Sequence, residues 1–464
     1  MTRTDFLLRR LVLVGGDYAV FTSALFLALV LRDGGHIDPR HFQAHLIPFA
    51  ILWTVWIAVF YINGLYEPAA IQDRLRLFRG YLEAMVANLV IGFAFFYLIP
   101  VFGIAPRTNL FLHFAVALLL GYGWRVAYNA KVFPSLFRNR VLFVGKTEDA
   151  AAVGQLLKEG RVGYTLAATV VTDGGNRPEG MAAWSGRLAD LPELLERARI
   201  QTLVVGHRTD EVPGLADALY PSLFSRISLI DRATLEESVT GRVPLEHVSQ
   251  LWFLEHLHEQ EKAWIDGAKR IIDIVLAIPF GLLTLVLMPF VALAIRLSSP
   301  GPIFIRQTRI GKLNKPFTLI KFRSMHALSP DGSAETKGAQ FTQDAKTDPR
   351  LFPVGRFLRQ TRIDEFPQIW NVLRGDLSFV GPRPERPEFV EPLQAKMPFY
   401  ALRHLVRPGL TGWAQVRYLT PVARLDDNLV KLRYDLYYIR HRSLLLDFAI
   451  LLKTVGIMLR RQGT

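Results

Sequence analysis

Cysteine is absent from all 464 residues. That excludes a disulfide framework, a thiolate nucleophile and a Cys-ligated zinc site, and it leaves the compartment undecided. Acidic residues run short as well: 41 Asp+Glu stand against 55 Lys+Arg, for a formal charge of +14. A surplus of that sign suits an anionic partner, whether nucleic acid, lipid headgroups or a phosphorylated small molecule. Half of the chain is hydrophobic and the mean hydropathy is +0.22, high for a soluble protein and indicative of membrane segments. The length predicts two or three domains.

Four apolar stretches, roughly 11–31, 45–66, 81–102 and 108–130, are each long enough to cross a hydrocarbon core of ~30 Å. No small-residue cleavage site follows the first, so it is expected to be a span and not a signal peptide. Arg3, Arg9 and Arg10 precede the first stretch, Arg74, Arg76 and Arg79 lie between the second and third, and Lys131, Arg138 and Arg140 follow the fourth. The positive-inside rule then puts both ends of a four-helix transmembrane bundle, residues 1–135, on the cytoplasmic side. Asp17 and Glu83 sit near the ends of their stretches, so no transport path is expected.

From about residue 138 to 240 short β-branched runs alternate with helical stretches, which reads as a parallel Rossmann-like α/β domain. The turn after its first strand has Gly145, but Lys146, Thr147, Glu148 and Asp149 follow where a dinucleotide fingerprint needs more glycine. A degenerate module for assembly or regulation is expected. A membrane-anchored nucleotide-sugar dehydratase would need a Tyr with Lys four residues on, and no tyrosine here has one. A linker is expected over 241–264.

Residues 271–297 form a fifth apolar stretch, flanked by Lys269 and Arg270 before and by Arg296, Arg306, Arg309, Lys312 and Lys315 after. Cations on both sides place both ends in the cytoplasm, and Pro279 and Pro289 interrupt the helical ladder. The segment is therefore expected to enter the membrane, bend and return. Asp273, three residues after Arg270, is expected to pair with a cation at the membrane face and anchor that hairpin.

Gly-Pro turns, basic residues and aromatics then recur without helical or strand periodicity, a surface suited to phosphates at a membrane interface. No nucleic-acid motif occurs, so no nucleic acid is expected as partner. In "RIDEFPQIWNVLRGDLSFVGPRP", Asp364 and Glu365 lie side by side before a helix that can take Pro367 in its first turn and stop at Gly375. A carboxylate at a helix start stays ionised. It can attack a phosphoryl group, while a neighbouring acid can hold magnesium against a diphosphate. Asp376 either supports such a site or caps a turn.

With "GPIFIRQTRIGKLNKPFTLIKFRSM" and "RPGLTGWAQV", this stretch resembles the monotopic phosphoglycosyl transferases, the polyprenyl-phosphate sugar-1-phosphate transferases of bacterial polysaccharide initiation. The resemblance is strongest over about 262–464, and the preceding two domains match the large branch of that family. It implies a catalytic domain over 265–464 that moves a sugar-1-phosphate from a UDP-sugar to polyprenyl (undecaprenyl) phosphate, releasing UMP. It makes Asp364 the nucleophile and Glu365 a magnesium ligand, and gives Lys321, Arg323 and Arg383 to phosphate. Arg417 is the candidate for a nucleotide contact, because Arg417-Tyr418-Leu419 stands where many members carry Asn-Gly-Arg. The family's mid-hairpin Ser-Pro reads Leu285-Val286 here. A homodimer in the bacterial cytoplasmic membrane, with its catalytic domain on the cytoplasmic face, completes the expectation. A nucleotide-sugar hydrolase and an inactive assembly scaffold are the alternatives. The last stretch, from Ser443 with Lys453, Arg460 and Arg461 toward its end, either lies on the leaflet or packs on the domain.

Overall fold

A computed structural model of the chain describes residues 3–35, 39–66, 74–98, 107–132, 139–160, 163–173, 184–185, 188–206, 212–220, 227–257, 259, 262–327, 350–397, 399–419 and 425–460. It divides into two compact units, Met1–Thr240 and Gly241–Thr464.

The first unit opens with helices α1 (Arg3–Arg32), α2 (Pro39–Ile62), α3 (Arg74–Leu98) and α4 (Arg107–Ala127). Each contains a stretch apolar and long enough to cross a membrane, and residues 99–102 of the expected third stretch lie outside the described residues. The four share an aromatic-rich core that includes Phe21, Trp53, Trp56, Phe60 and Tyr81. Asp17, near the end of its stretch by position, is buried in this core. Arg125 Nη2 pairs with its carboxylate at 2.6 Å and Tyr66 donates to it at 2.7 Å, which supplies the partners that a buried charge requires.

The same unit holds a five-stranded parallel sheet. Its elements are β1 (Asn139–Gly145), α5 (Thr147–Gly160), β2 (Tyr164–Val171), β3 (Trp184–Ser185), α6 (Leu191–Arg197), β4 (Thr202–Val205), α7 (Leu215–Leu219), β5 (Ser228–Asp231) and α8 (Arg232–Thr240). The spatial order is β3-β2-β1-β4-β5, and nearly continuous apolar runs fit strands covered on both faces. In dinucleotide-binding sheets the pyrophosphate sits at the start of the first helix. Here the backbone N–H and hydroxyl of Thr147 donate to Asp173 at 2.9 and 2.8 Å, so a carboxylate of the chain itself takes those donors.

The second unit comprises α9 (Gln250–His256), α10 (Ala263–Ser298), β6 (Phe304–Ile310), β7 (Pro316–Phe322), α11 (Pro353–Thr361), α12 (Ile369–Arg374), β8 (Ser378–Val380), α13 (Pro387–Lys396), β9 (Gly409–Thr411), α14 (Trp413–Arg417), α15 (Leu425–His441) and α16 (Leu444–Leu459). Residues 241–264, expected as a linker, belong to this unit: Val243 N–H donates to Arg433 O, and the Trp413 indole to Gly241 O.

α10 is one uninterrupted 36-residue helix, about 54 Å long at 1.5 Å per residue, with Pro279 and Pro289 inside it. A proline removes one ladder donor and favours a kink, but it need not end a helix. Only 11% of α10's apolar window is buried, against 28–44% in the four N-terminal helices. Both ends of α10 are nevertheless tied to the same unit. Near its start Arg270 donates to Val372 O (2.5 Å) and Leu373 O (2.7 Å), satisfying carbonyls at the end of α12. Near its finish Ile295 joins Phe322, Phe352 and Leu358 in one core.

Asp273 departs from expectation. It is buried, and its Oδ1 accepts from the Ser378 hydroxyl and the Phe379 N–H, both at 3.0 Å, so it anchors α10 to β8 through dipoles and not through a cation. Lys269 instead pairs with Asp447 of α16 at 2.6 Å. One face of α16 packs on the unit through Ala449 and Ile450, while Leu445, Phe448 and Leu459 are exposed.

Two parallel strands, β8 and β9, bring the Gly-Pro-Arg-Pro segment against the segment around Gly409. A Cβ on Gly409 would lie 2.1 Å from Gly381 N and 2.5 Å from Thr411 O, backbone that cannot yield. Gly409→Ala is therefore expected to destabilise the unit by about 1–3 kcal/mol, the usual cost of overpacking. A thermal melt of the purified chain in nanodiscs checks this.

Candidate active site

The acid pair sits on a 3-10 turn, Ile363–Gln368, between α11 and α12. Pro367 is accommodated in this turn, and Gly375, at φ 90°, ends α12 as the sequence predicts. The turn rests on the apolar core at the end of α10 through Ile363 and Phe366. It faces the hairpin of β6 and β7, where Lys321 lies opposite Ile305. Asn371, fully buried, fixes the distance between them. Its amide donates to Thr318 O (2.7 Å) and accepts from Ile320 N–H (3.2 Å), pinning α12 to β7.

Cations crowd the pair. Arg383 Nη2 is 3.3 Å from Glu365 Oε1, and Arg362 Nη1 is 3.9 Å from the same oxygen. Burial and then the repulsion of Glu365 push the Asp364 carboxyl up to about 6, against the pull of Lys321, Arg359 and Arg362. Burial acts to raise Glu365 too, but Arg383 and Arg362 outweigh it and hold the carboxyl below its ordinary range. Burial lowers the Lys321 ammonium to about 8, although Asp364 favours its charged form. The two neighbours thus divide: Asp364 titrates close to neutrality, and Glu365 stays ionised.

Of the predicted substrate residues, the structure gathers Lys321 and Arg383 around the acids. Arg323 goes elsewhere. It is fully buried and donates to Ser299 O (2.7 Å), Pro300 O (2.6 Å) and Ser299 Oγ (3.2 Å) just beyond α10. Its neighbour Lys321 points to the acids because side chains two apart share a strand face, but Arg323 lies past the end of β7, where the pleat no longer governs direction. Arg417 lies on α14 with its guanidinium 4.5 Å from the Trp413 ring centroid. Asp376 accepts from Asn371 at 3.1 Å, so it supports the residue that pins the turn.

Sequence reading passed over Arg359, Arg362, Asn371 and a buried trio behind Arg383. In that trio Arg403 donates to Tyr400 OH (2.6 Å), pairs with Asp435 (3.0 Å) and donates to the Arg383 carbonyl (3.0 Å). Burial pushes Asp435 up to about 6 in spite of Arg403. Arg359 and Arg362 stand five and two residues before Asp364, a spacing that a helix-then-turn reading of "RQTRIDE" could have found.

Magnesium prefers carboxylate and phosphate oxygens and keeps several waters, so it needs few protein ligands. Among the described residues no cluster of three His, Asp or Glu could hold an ion. The two adjacent acids therefore fit an ion that shares its coordination with a substrate's phosphates, and do not form a closed metal cage.

Residues 264–461 match the model of the bacterial sugar transferase family. The chain is 39% identical over 278 residues to a UDP-N-acetylgalactosamine-undecaprenyl-phosphate N-acetylgalactosaminephosphotransferase of Aeromonas hydrophila, covering 60% of this chain and 63% of that protein. It is 41% identical over 196 residues to a UDP-glucose:undecaprenyl-phosphate glucose-1-phosphate transferase of Caulobacter vibrioides, covering 42% of this chain and 71% of that one. A relative of the latter name from Klebsiella pneumoniae is 28% identical over 94% of this chain and 93% of its own. The fold and its apolar helices define a membrane protein with an acid pair, Asp364 buried and Glu365 partly exposed, among cations. The chain belongs to the bacterial sugar transferase family.

The raised Asp364 has a consequence for stability. A carboxyl at about 6 in the fold, against 3.8 ordinarily, contributes stability below about pH 4 that is lost as pH rises through 6. Asp364 is only 7% exposed, so screening by water is slight. Asp364→Asn, which carries no charge, is expected to stabilise the protein at pH 8 by on the order of 1–3 kcal/mol and to leave it unchanged near pH 4. Melting curves of both proteins at the two pH values check this.

Proposed function

We propose that the chain transfers a sugar-1-phosphate from a UDP-sugar to polyprenyl phosphate, releasing UMP, through a covalent intermediate on Asp364. The observation that carries this reading is the acid pair itself: one carboxyl poised near neutrality and one held ionised, both inside a ring of cations. The relatives' names share a UDP-sugar donor and an undecaprenyl phosphate acceptor, and this chain is assigned the same pair.

In the first step a carboxylate oxygen of Asp364 attacks the β-phosphorus of the UDP-sugar. The bond from that phosphorus to the bridging oxygen breaks, and UMP leaves with the electron pair. Lys321, Arg359 and Arg383 orient the diphosphate and balance its charge, Arg through a planar fork and Lys as a point charge. Glu365 would hold magnesium, which supplies neutralisation of the diphosphate oxygens when bound. In the second step an oxygen of polyprenyl phosphate attacks the same phosphorus, and the Asp364–phosphorus bond breaks to restore the carboxylate.

The acceptor is a membrane lipid, and α10 is read as a re-entrant helix that brings the acid pair to the cytoplasmic face of the inner membrane. Its two attachments to one unit support this reading, as do the cations on both flanks. The four N-terminal helices are read as a transmembrane bundle, and the assembly as a homodimer.

Two measurements test these statements. Purified protein given a UDP-sugar and polyprenyl phosphate is expected to release UMP in multiple turnovers only when the lipid is present. Lipid-independent turnover would instead make it a hydrolase. Radiolabelled sugar should mark the wild type through an acid-stable, hydroxylamine-labile bond and leave Asp364→Asn unlabelled, with turnover down at least 10³-fold. Near-normal turnover in that variant would mean direct attack by the lipid.

Topology is tested separately. Gly267→Cys, in open space in the first turns of α10, and Arg306→Cys, exposed on β6, flank the apolar stretch 271–297 in a chain without native cysteine. Both are expected to resist impermeant maleimide in intact cells and to react after permeabilisation. Labelling of Arg306→Cys from outside would mean that α10 crosses.

A further inference from the structure

Arg309 lies near the end of β6, opposite Phe317, while Lys321 on β7 lies opposite Ile305. Side chains two and four apart on a strand share a face, and directly opposed residues share it too. Arg309 and Lys321 therefore stand on one face of the β6–β7 hairpin, the face from which Lys321 reaches the acids. Arg309 turns instead to the segment that carries Arg383. Its Nη1 donates to Pro384 O and its Nη2 to Gln307 Oε1, both at 3.1 Å, and its Nε is enclosed in the protein. Nη1 also lies 3.9 Å from Glu385 Oε2.

The backbone around Arg383 is held at every carbonyl from Pro382 to Glu385. In that order they accept from Gly409 N–H (2.9 Å), Arg403 Nη2 (3.0 Å), Arg309 Nη1 (3.1 Å) and Ile310 N–H (2.9 Å). Pro382 and Pro384 fix φ on either side of Arg383. Two of these four donors, from Arg309 and Ile310, belong to β6. The hairpin that presents Lys321 is thus tied to the segment that presents Arg383. Burial lowers the Arg309 guanidinium to about 10, so it stays charged near neutrality and makes the stronger, charge-assisted bond to its carbonyl. A diphosphate has fixed distances between its oxygens, so two cations that grip it from separate segments need a fixed spacing.

We propose that Arg309 is a positioning residue for diphosphate binding: it holds the Arg383 segment on the β6–β7 hairpin, so that Lys321 and Arg383 close on one diphosphate. This rests on the transfer reading above, which assigns that diphosphate to a UDP-sugar.

An effect that runs through Arg383 must disappear once the Arg383 guanidinium is gone, so a double-mutant cycle is the test. UDP is titrated by calorimetry into the full chain in nanodiscs, as wild type, Arg309→Gln, Arg383→Gln and the double variant. Arg309→Gln is expected to weaken UDP binding about tenfold, the size of one lost charged hydrogen bond. In the Arg383→Gln background the same change should cost less than about threefold. Arg309→Lys should recover part of the loss, because an ammonium can still donate to Pro384 O. Arg306→Gln, on the opposite and exposed face of β6, removes the same charge and should leave UDP binding unchanged. If Arg309→Gln folds poorly in a thermal melt, Arg309→Met, which keeps the apolar stem, replaces it under the same limits.

A loss of about threefold or more that persists without the Arg383 guanidinium would mean that Arg309 acts apart from Arg383, by touching phosphate or by holding the fold. A loss below about threefold in both backgrounds would mean that Gly409, Arg403 and Ile310 hold the segment without it. Either result overturns the proposal and leaves the transfer reading standing. If the wild type neither binds UDP nor releases UMP from a UDP-sugar, the proposal falls together with that reading.

Discussion

A carboxylate can be desolvated without being neutralised only if cations or hydrogen-bond donors close around it, and around the acid pair of the second unit those partners are cations. Asp364 is buried beside another acid, so each of the two raises the cost of ionising its neighbour. Lys321, Arg359, Arg362 and Arg383 reduce that cost from β7, α11, the turn and the Gly-Pro-Arg-Pro segment respectively. The balance is incomplete by design of the sequence, since Asp364 stays near neutrality while Glu365 is held ionised. A site so poised gives up some stability in exchange for a reactive carboxylate.

Four cations from four segments require rigid placement, and much of the polar interior does this. Asn371 pins α12 to β7, Arg270 ties the end of α12 to the long helix, and Arg403 with Asp435 holds the Arg383 backbone. Gly409 and Gly381 let two backbone segments touch where any side chain would separate them. None of these groups meets the acids directly. Each removes a degree of freedom from one that does.

The first unit is built on different terms. Among the described residues its apolar helices bury the ion pair of Asp17 with Arg125 and are joined by hydrogen bonds such as Trp53 to His113 and Tyr81 to Ala117 O within an aromatic-rich core. Its sheet has the order of a nucleotide-binding fold, yet Asp173 takes the donors at the start of α5 that a phosphate would use. The missing glycines after Gly145 and this internal carboxylate are two sides of one fact, because a segment that binds its own acid has no need to let a pyrophosphate approach.

The sequence by itself determined the local features. Runs of about twenty apolar residues, strand-and-helix alternation and the stop at Gly375 each depend on neighbours in the chain, and so could be read there. The resemblance around Asp364, Glu365, Lys321 and Arg383 identified residues that the structure brings together. Roles that depend on distant partners could not be read. Arg323 looked like Lys321, two residues apart and equally basic, but the end of β7 turned it to the carbonyls beyond α10. Asp273 looked like half of an ion pair, but β8 arrived with an N–H and a hydroxyl in place of a cation. Prolines 279 and 289 predicted an interruption, but the helix continued through both. Local spacing fixes backbone propensity, whereas the partner of a buried charge is whichever segment the fold delivers to it, and only the tertiary structure decided that.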